Sequence, residues 1–180
     1  MSDSIVHQRS SPAPASADSW QRPAVLVAAG CFAIALGLLV YAADRPAGHA
    51  LLIPAFPALT GGRLFGTLGQ WLPSFVHPFA FSLFTAAALP SRATPRYGAC
   101  IAWCAVNLAF EVGQHPQISG RLAKVVHDVL GQSPPAGALA NYFVRGTFDV
   151  GDIAAVILGA LAAAAVLRLI QPVPESTHAQ

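Results

Sequence analysis

Long apolar stretches separated by short polar segments make up most of this chain. The first covers residues 24–43, about the 20 residues that a membrane-spanning helix needs. Shorter apolar stretches cover residues 74–89 and 97–112, and a fourth, rich in Ala and Gly, covers residues 150–170. The pattern predicts four transmembrane helices.

The first apolar stretch has an alternative interpretation as a cleaved signal peptide, because small residues follow Tyr41 near its end. The apolar region of a signal peptide usually has about 7–15 residues, and this one is longer. We therefore expect an uncleaved membrane anchor.

Two segments before the second span are apolar but too short to cross a membrane. Residues 51–59 contain Pro54 and Pro57, and we expect interfacial or re-entrant backbone there. The next apolar side chains recur at helical spacing and predict a short helix in the membrane interface, with the tryptophan at headgroup level: Leu64, Leu68, Trp71, Leu72 and Phe75.

The long loop between the third and fourth spans contains an amphipathic pattern. Its apolar positions follow the spacing of one helix face: Leu122, Val125, Val126, Val129 and Leu130. Arg121 and Lys124 occupy the other face, and Ser119 and Gly131 are candidate caps. We expect a surface helix that lies on lipid headgroups.

The chain is therefore predicted to be an all-α polytopic membrane protein with four transmembrane helices and short interfacial amphipathic helices. Residues 23–171 form its single domain. The Ser-, Ala- and Pro-rich residues 1–22 and the polar residues 172–180 are predicted to be disordered tails.

Composition supports a membrane protein. Hydrophobic residues make up 54% of the chain and charged residues 10%, whereas a soluble domain has about 25% charged residues. The net charge of +2 and the lack of a basic run argue against a nucleic-acid partner. The three cysteines form no Cys-x-x-Cys pair, which indicates neither a zinc site nor a redox site, and we predict no metal and no cofactor. A metal site on His77, Glu111 and Asp152 is a minor alternative, because their spacing is nonlocal.

Four spans place both termini on the same side of the membrane. The short loop between the second and third spans carries Arg92 and Arg96 and no acidic residue. Short basic loops are usually cytoplasmic. We therefore expect an inner-membrane, multi-pass protein with both termini in the cytoplasm.

Polar side chains lie at the ends of the spans that antiparallel packing brings to one membrane face. Such groups are costly at the edge of a bilayer, so they usually mark a working site. The predicted ligand-binding residues are His77, Glu111, Gln114, Arg145, Asp149 and Asp152. A structural ion-pair network, with Arg145 or His77 paired to Glu111, explains the same set without chemistry.

Several neighbouring residues have structural interpretations. Glu111 and Gln114 continue a stripe that begins at Cys100, Cys104 and Asn107, and we expect Asn107 to bond to a neighbouring helix. Asp149 is a candidate cap of the fourth span. Gly159 and Ala163 form a small-residue pair that permits close approach of another helix, so we expect a membrane-protein partner there.

The chain resembles the VanZ-like family of small bacterial membrane proteins. Three motifs carry the resemblance: His77-Pro78-Phe79-Ala80-Phe81, Glu111-Val112-Gly113-Gln114, and Phe148-Asp149-Val150-Gly151-Asp152 followed by Gly159. The chain departs from the family pattern in having Val156 where an Asn is frequent and in lacking a Lys shortly before the His.

The resemblance implies a role in the cell envelope, since the family takes its name from a glycopeptide-resistance cluster in which such a protein lowers sensitivity to teicoplanin. We predict a polar pocket that binds a lipid headgroup, a lipoglycopeptide or a partner helix. The alternative is a membrane hydrolase or transferase acting on a lipid-linked substrate. Its candidate catalytic residues are His77, Glu111 and Asp152, and the sequence leaves open whether the protein is an enzyme.

Overall fold

The computed structural model describes residues 18–44, 64–90 and 93–170, and this part of the chain is helical, without strands. Its six helices are α1 (Asp18–Asp44), α2 (Leu68–Ala88), α3 (Ala93–Gly113), α4 (Pro116–Leu130), α5 (Pro134–Arg145) and α6 (Val150–Ile170). The all-α prediction is confirmed. The predicted segment at 51–59 lies outside the described residues, as do most of the two predicted tails.

Two helices in the described residues are long and apolar enough to cross a membrane, Arg22–Asp44 and Val150–Ile170, each with a mean hydropathy of 2.5. Four were expected. Helices α2 and α3 are 21 residues long, but polar side chains such as His77, Asn107 and Glu111 interrupt their apolar surfaces. Both helices are long enough to cross a membrane, but their mean hydropathy is too low for them to be counted as candidate spans.

Helix α2 begins earlier than the sequence pattern indicates. It runs without a break from Leu68 through Pro73 and Pro78, so the prediction of a separate interfacial helix before residue 74 was wrong. Each proline lacks the N–H group that would bond four residues back. Both proline rings are buried, and packing against neighbouring helices keeps this helix continuous.

Helix α2 lies at the centre of the bundle and packs against α1, α3 and α6. Helices α1 and α3 run antiparallel to α2, and α6 runs parallel to it. One buried cluster joins all four helices near the first residues of α1: Leu26, Leu83, Ala86, Cys100, Ala163 and Leu167. Because Leu26 and Val40 are fully buried, α1 is an integral part of this core.

Small residues let α6 approach α2 closely. A Cβ atom added to Gly159 would overlap the carbonyl oxygen of Phe75, and Ala163 is fully buried. Closer to the start of α6, Gly151 packs against the indole of Trp71. The surface that the sequence assigned to a partner helix is therefore filled by α2 of the same chain.

Helices α4 and α5 form a hairpin between α3 and α6. The predicted amphipathic helix is present as α4 and ends at Gly131 (φ 70°), but its N-cap is His115 and not Ser119. Helix α5 was not predicted, and Pro134 and Pro135 lie at its start. Proline is favourable in the first helical turn, where its missing N–H has no helical partner anyway.

Candidate functional site

Four helix ends meet at one end of the bundle, which we call the site end. It contains the last residues of α1 and α3 and the first residues of α2 and α6. Asp44, the last residue of α1, accepts hydrogen bonds from the backbone N–H groups of Leu64 (2.6 Å) and Phe65 (2.9 Å). This carboxylate therefore ties the end of α1 to the segment that enters α2.

Asp149 caps α6. Its Oδ1 accepts a hydrogen bond from the N–H of Gly151 (2.8 Å), and its Oδ2 accepts one from the indole Nε1 of Trp71 (3.2 Å). These two donors, the Gly151 N–H foremost, hold the pKa of Asp149 below its ordinary value of 3.8. The capping interpretation of this residue agrees with the geometry, and the contact with Trp71 joins the cap to α2.

Asp152 lies one turn further along α6 and is half-buried. Its Oδ1 accepts a hydrogen bond from the hydroxyl of Ser74 on α2 (2.7 Å). Ser74 and Trp71 are three residues apart, so they share a face of α2 and meet two carboxylates that are also three residues apart. The sequence analysis did not identify either residue as part of the site.

Glu111 is half-buried in the last turn of α3. The charged groups that act on it are Asp152 and Asp149, both of its own sign. Neither Arg145 nor His77 is among them, and Arg145 is exposed. The electrostatic surroundings of Glu111 therefore do not favour the alternative of an ion pair with Arg145 or His77, and we call Glu111, Asp149 and Asp152 the acidic cluster.

Gln114 and Tyr142 line the cluster from the hairpin side. Gln114 is 8% exposed and packs against Gly146, where an added Cβ atom would overlap its amide. The same amide interacts with the Tyr142 hydroxyl. Burial, followed by the charge of Glu111, raises the pKa of Tyr142 to about 12, so its hydroxyl keeps its proton at neutral pH. The sequence did not point to Tyr142, because α5 was not predicted.

His77 does not join the acidic cluster. Its ring stacks on Phe81, one turn further along α2, with ring centroids 6.1 Å apart. Phe81 in turn stacks on Trp103 of α3 (4.9 Å). His77 is therefore on a different face of α2 from Ser74, which contacts Asp152.

The polar stripe of α3 is only partly directed at other helices. Asn107 donates a hydrogen bond to the carbonyl of Trp103 in its own helix (2.8 Å), contrary to the expected bond with a neighbour. The bond between helices comes from Trp103, whose Nε1 donates to the Thr85 hydroxyl (2.9 Å). Residues 18–44, 64–90 and 93–170 contain no group of three His, Cys, Asp or Glu side chains that could hold a metal ion.

An open apolar groove of about 380 Å³ lies between α1 and α2. We call it the lateral groove, and it is lined by Cys31, Ile34, Ala35, Leu38, Phe81 and Phe84. Since Phe81 also contacts His77 and Trp103, the groove adjoins the face of α2 that carries His77.

No family model, curated protein or solved structure matches this chain. The similarity to VanZ-like proteins therefore stays a prediction from the three motifs. Of the motif residues, Glu111, Asp149 and Asp152 lie close enough to influence one another, whereas His77 lies apart from them.

Proposed function

We propose that this chain is a multi-pass membrane protein in which α1, α2, α3 and α6 all cross the bilayer. Large apolar side chains point outward from the bundle, including Phe32 (73% exposed), Ile101 (72%) and Leu161 (60%). Outward apolar surface of this extent needs an apolar environment. Ser74 of α2 and Glu111 of α3 lie at the site end, which makes their insertion tolerable.

The proposed location is the bacterial inner membrane with both termini in the cytoplasm. The support is that Arg92 precedes α3 and Arg96 lies in its first turn, with no acidic residue between the end of α2 and Arg96. Arg96 is buried and donates through Nη2 to the carbonyl of Leu89 at the end of α2 (3.4 Å). In this orientation the site end faces away from the cytoplasm.

The proposed activity is binding of the polar headgroup of an envelope lipid or lipoglycopeptide. One observation supports the proposal: Glu111, half-buried in the last turn of α3, and the carboxylates of Asp149 and Asp152 at the start of α6 lie at the same end of two helices that pack together. Carboxylates that repel one another gain most from a ligand that brings positive charge or hydroxyl donors. An amine-bearing headgroup supplies this chemistry.

The hairpin completes the proposed site for a phosphate-containing headgroup. Arg121 and Lys124 are exposed on α4, which follows directly from the site end of α3. Cationic side chains at headgroup level favour phosphate. In a VanZ-like role, the protein would change how the envelope responds to a lipoglycopeptide by binding such a molecule or a lipid that it recognises.

The test is the affinity of purified, delipidated protein for phosphatidylethanolamine, followed by native mass spectrometry. We expect Glu111→Gln to weaken binding about tenfold, the loss expected for one charge-assisted hydrogen bond. The matched control is Asp128→Asn, which removes an exposed acid of α4 away from the acidic cluster. Equal affinities of wild type and Glu111→Gln would overturn the proposal.

The enzymatic alternative has less support from the geometry. A reaction that uses His77 as base or nucleophile with Glu111 as acid needs the two side chains to act on one substrate, and His77 stacks on Phe81 outside the acidic cluster. Binding without chemistry is therefore the function that we propose.

A further inference from the structure

Arg96 is a buried cation whose hydrogen bonds are incomplete. It lies in the first turn of α3 and is only 6% exposed. Its Nη2 donates to the carbonyl of Leu89 over a long 3.4 Å, and its Nε is buried without a hydrogen-bond partner among the described residues. A buried guanidinium without an anion loses its hydration and gains little in return. An anionic ligand at this position would compensate for that loss.

The backbone around Arg96 also favours an anion. The first N–H groups of an α-helix have no acceptor within the helix, and the helix dipole places partial positive charge there. Arg96 adds a full positive charge to this end of α3, where the first turn contains no acidic residue. Helical side chains tilt toward the start of their helix, and the contact with Leu89 shows that Arg96 does so. The guanidinium and these N–H groups therefore lie at one junction, between the end of α2 and the start of α3.

Further cations lie at this end of the bundle, whereas carboxylates gather at the other. Arg22 lies near the start of α1, and Arg168 is exposed in the last turn of α6. The carboxylates of Asp44 and of the acidic cluster lie at the site end instead. The electrostatic field at the start of α3 is therefore favourable for an anion.

The surface next to Arg96 favours a lipid as the source of this anion. Ile101 lies about 7.5 Å further along α3, at the rise of a helix, and is 72% exposed. Leu169 follows Arg168 on α6 and is 84% exposed. Cations at the end of a span with apolar surface beside them match the order of phosphate and acyl chain in a lipid. A dissolved phosphate ion would gain nothing from the apolar surface.

We propose that the start of α3 binds the phosphate of an anionic membrane lipid in the cytoplasmic leaflet, with Arg96 as its main ligand. The guanidinium donates from Nε and Nη2 to two phosphate oxygens, and this charge-assisted pair replaces the long bond to the Leu89 carbonyl. The inference rests on the proposed location in the bilayer, but not on ligand binding at the acidic cluster, which lies at the other end of the bundle.

The test is thermal unfolding of the full, delipidated chain in detergent over a titration with phosphatidylglycerol, from which the affinity follows. Arg96→Gln removes the buried charge, and Arg168→Gln removes an exposed charge at the same end. We expect Arg96→Gln to weaken binding about tenfold, and Arg168→Gln to leave it nearly unchanged. Arg96→Lys, which keeps the charge and loses the planar fork, should be intermediate. Equal affinities of wild type and Arg96→Gln would overturn the proposal.

Unfolding without lipid separates a ligand site from an ion pair within the chain, for which Asp18 and Glu175 are the candidate partners. We expect lipid-free Arg96→Gln to unfold at the same temperature as wild type or at a higher one, because the substitution removes a buried charge without a partner. A lower unfolding temperature, restored by Arg96→Lys, would show that an acid of the chain pairs with Arg96 and would overturn the proposal.

A measurement on the wild-type chain distinguishes a lipid from a dissolved anion. Glycerophosphoglycerol carries the phosphodiester of phosphatidylglycerol without its acyl chains. We expect phosphatidylglycerol to raise the unfolding temperature, and glycerophosphoglycerol at the same concentration to leave it unchanged. Equal stabilisation by the two would overturn the assignment to a lipid.

Two controls keep this inference separate from the proposed function. Release of the protein from cell membranes by an alkaline carbonate wash would remove the proposed location in the bilayer, whatever the affinity of Arg96→Gln. Affinities at the acidic cluster are measured in the Arg96→Gln background, so that each end of the bundle is observed by itself.

Discussion

The two ends of the helix bundle are held together by different interactions. At the end opposite the site, apolar side chains from four helices pack into one buried cluster that includes Leu26, Leu83 and Leu167. At the site end, the helices are joined by single hydrogen bonds, from Trp71 to Asp149 and from Ser74 to Asp152. The site end also holds Glu111 beside two carboxylates of the same charge.

This difference indicates which end was selected for stability. Close packing of apolar side chains stabilises a bundle directly, whereas neighbouring half-buried carboxylates of the same charge cost free energy. Local arrangements that oppose stability are most often found at functional sites. We therefore expect the packed end to determine folding and the site end to determine binding. Substitutions at the packed end should lower stability, and substitutions at the site end should lower lipid affinity.

The largest effect is expected where α2 and α6 touch between the two ends. Gly159→Leu would force its side chain into the Phe75 carbonyl and the Pro78 ring, so we expect a loss of more than about 3 kcal/mol and an unfolded or aggregated protein. Gly98→Leu, on α3 with no atom near the added Cβ, is the control. Thermal unfolding of both variants in detergent checks the prediction. A Gly159→Leu protein as stable as wild type would show that α6 does not contact α2 closely at Gly159.

At the packed end, Leu83→Ala should lower the free energy of unfolding by about 2–5 kcal/mol, because Leu83 is fully buried and leaves a cavity. The affinity of the folded fraction for phosphatidylethanolamine should not change. Ser74→Ala, at the site end, should cost only about 1 kcal/mol, since it removes one hydrogen bond. A larger loss of unfolding free energy in Ser74→Ala than in Leu83→Ala, measured from denaturation curves, would contradict the proposed difference between the two ends.

Glu111→Gln should separate stability from binding. The substitution removes a charge that Asp152 and Asp149 repel, so we expect a gain of about 0.5 kcal/mol in stability together with weaker lipid binding. Asp128→Asn should change neither quantity appreciably, because it is an exposed surface acid. A destabilised Glu111→Gln protein would mean that Glu111 has a partner that stabilises it.

The smallest effect concerns the cap of α6. Because its pKa is lowered in the folded state, Asp149 contributes stability above its ordinary value of 3.8, and this is lost as the pH falls through the lower, folded pKa. The fluorescence of Trp71 should therefore stay constant down to pH 3.8 and change only below it. Asp149→Asn, which keeps Trp71 and removes the titrating carboxyl, should remove the transition. A change close to neutral pH would indicate that another group controls this contact.

Much of the bundle could be predicted from the sequence because long apolar runs have few alternatives. The run at residues 150–170 matches α6, and alternation of the runs along the chain brought Glu111 and Asp152 to the same end of the bundle. The starts of two helices were not predicted. Pro73 and Pro78 lie inside α2, and Pro134 begins a helix that was not expected.

The composition of the site was harder to predict, because it depends on how each helix is rotated about its axis. The close α2–α6 contact at Gly151 and Gly159 turns Trp71 and Ser74 toward the acids and leaves His77 on another face. Tyr142 enters the site through α5. Periodicity within one helix contains none of this information, since rotation is decided by contacts between helices.

The most direct test of the central claim compares two lipids, only one of which carries an amine in its headgroup. Phosphatidylethanolamine and phosphatidic acid with identical acyl chains should be titrated into the full-length, delipidated protein at one ionic strength. If the acidic cluster binds a cationic headgroup, phosphatidylethanolamine should bind about tenfold more tightly. Equal affinity, or tighter binding of phosphatidic acid, would contradict the account.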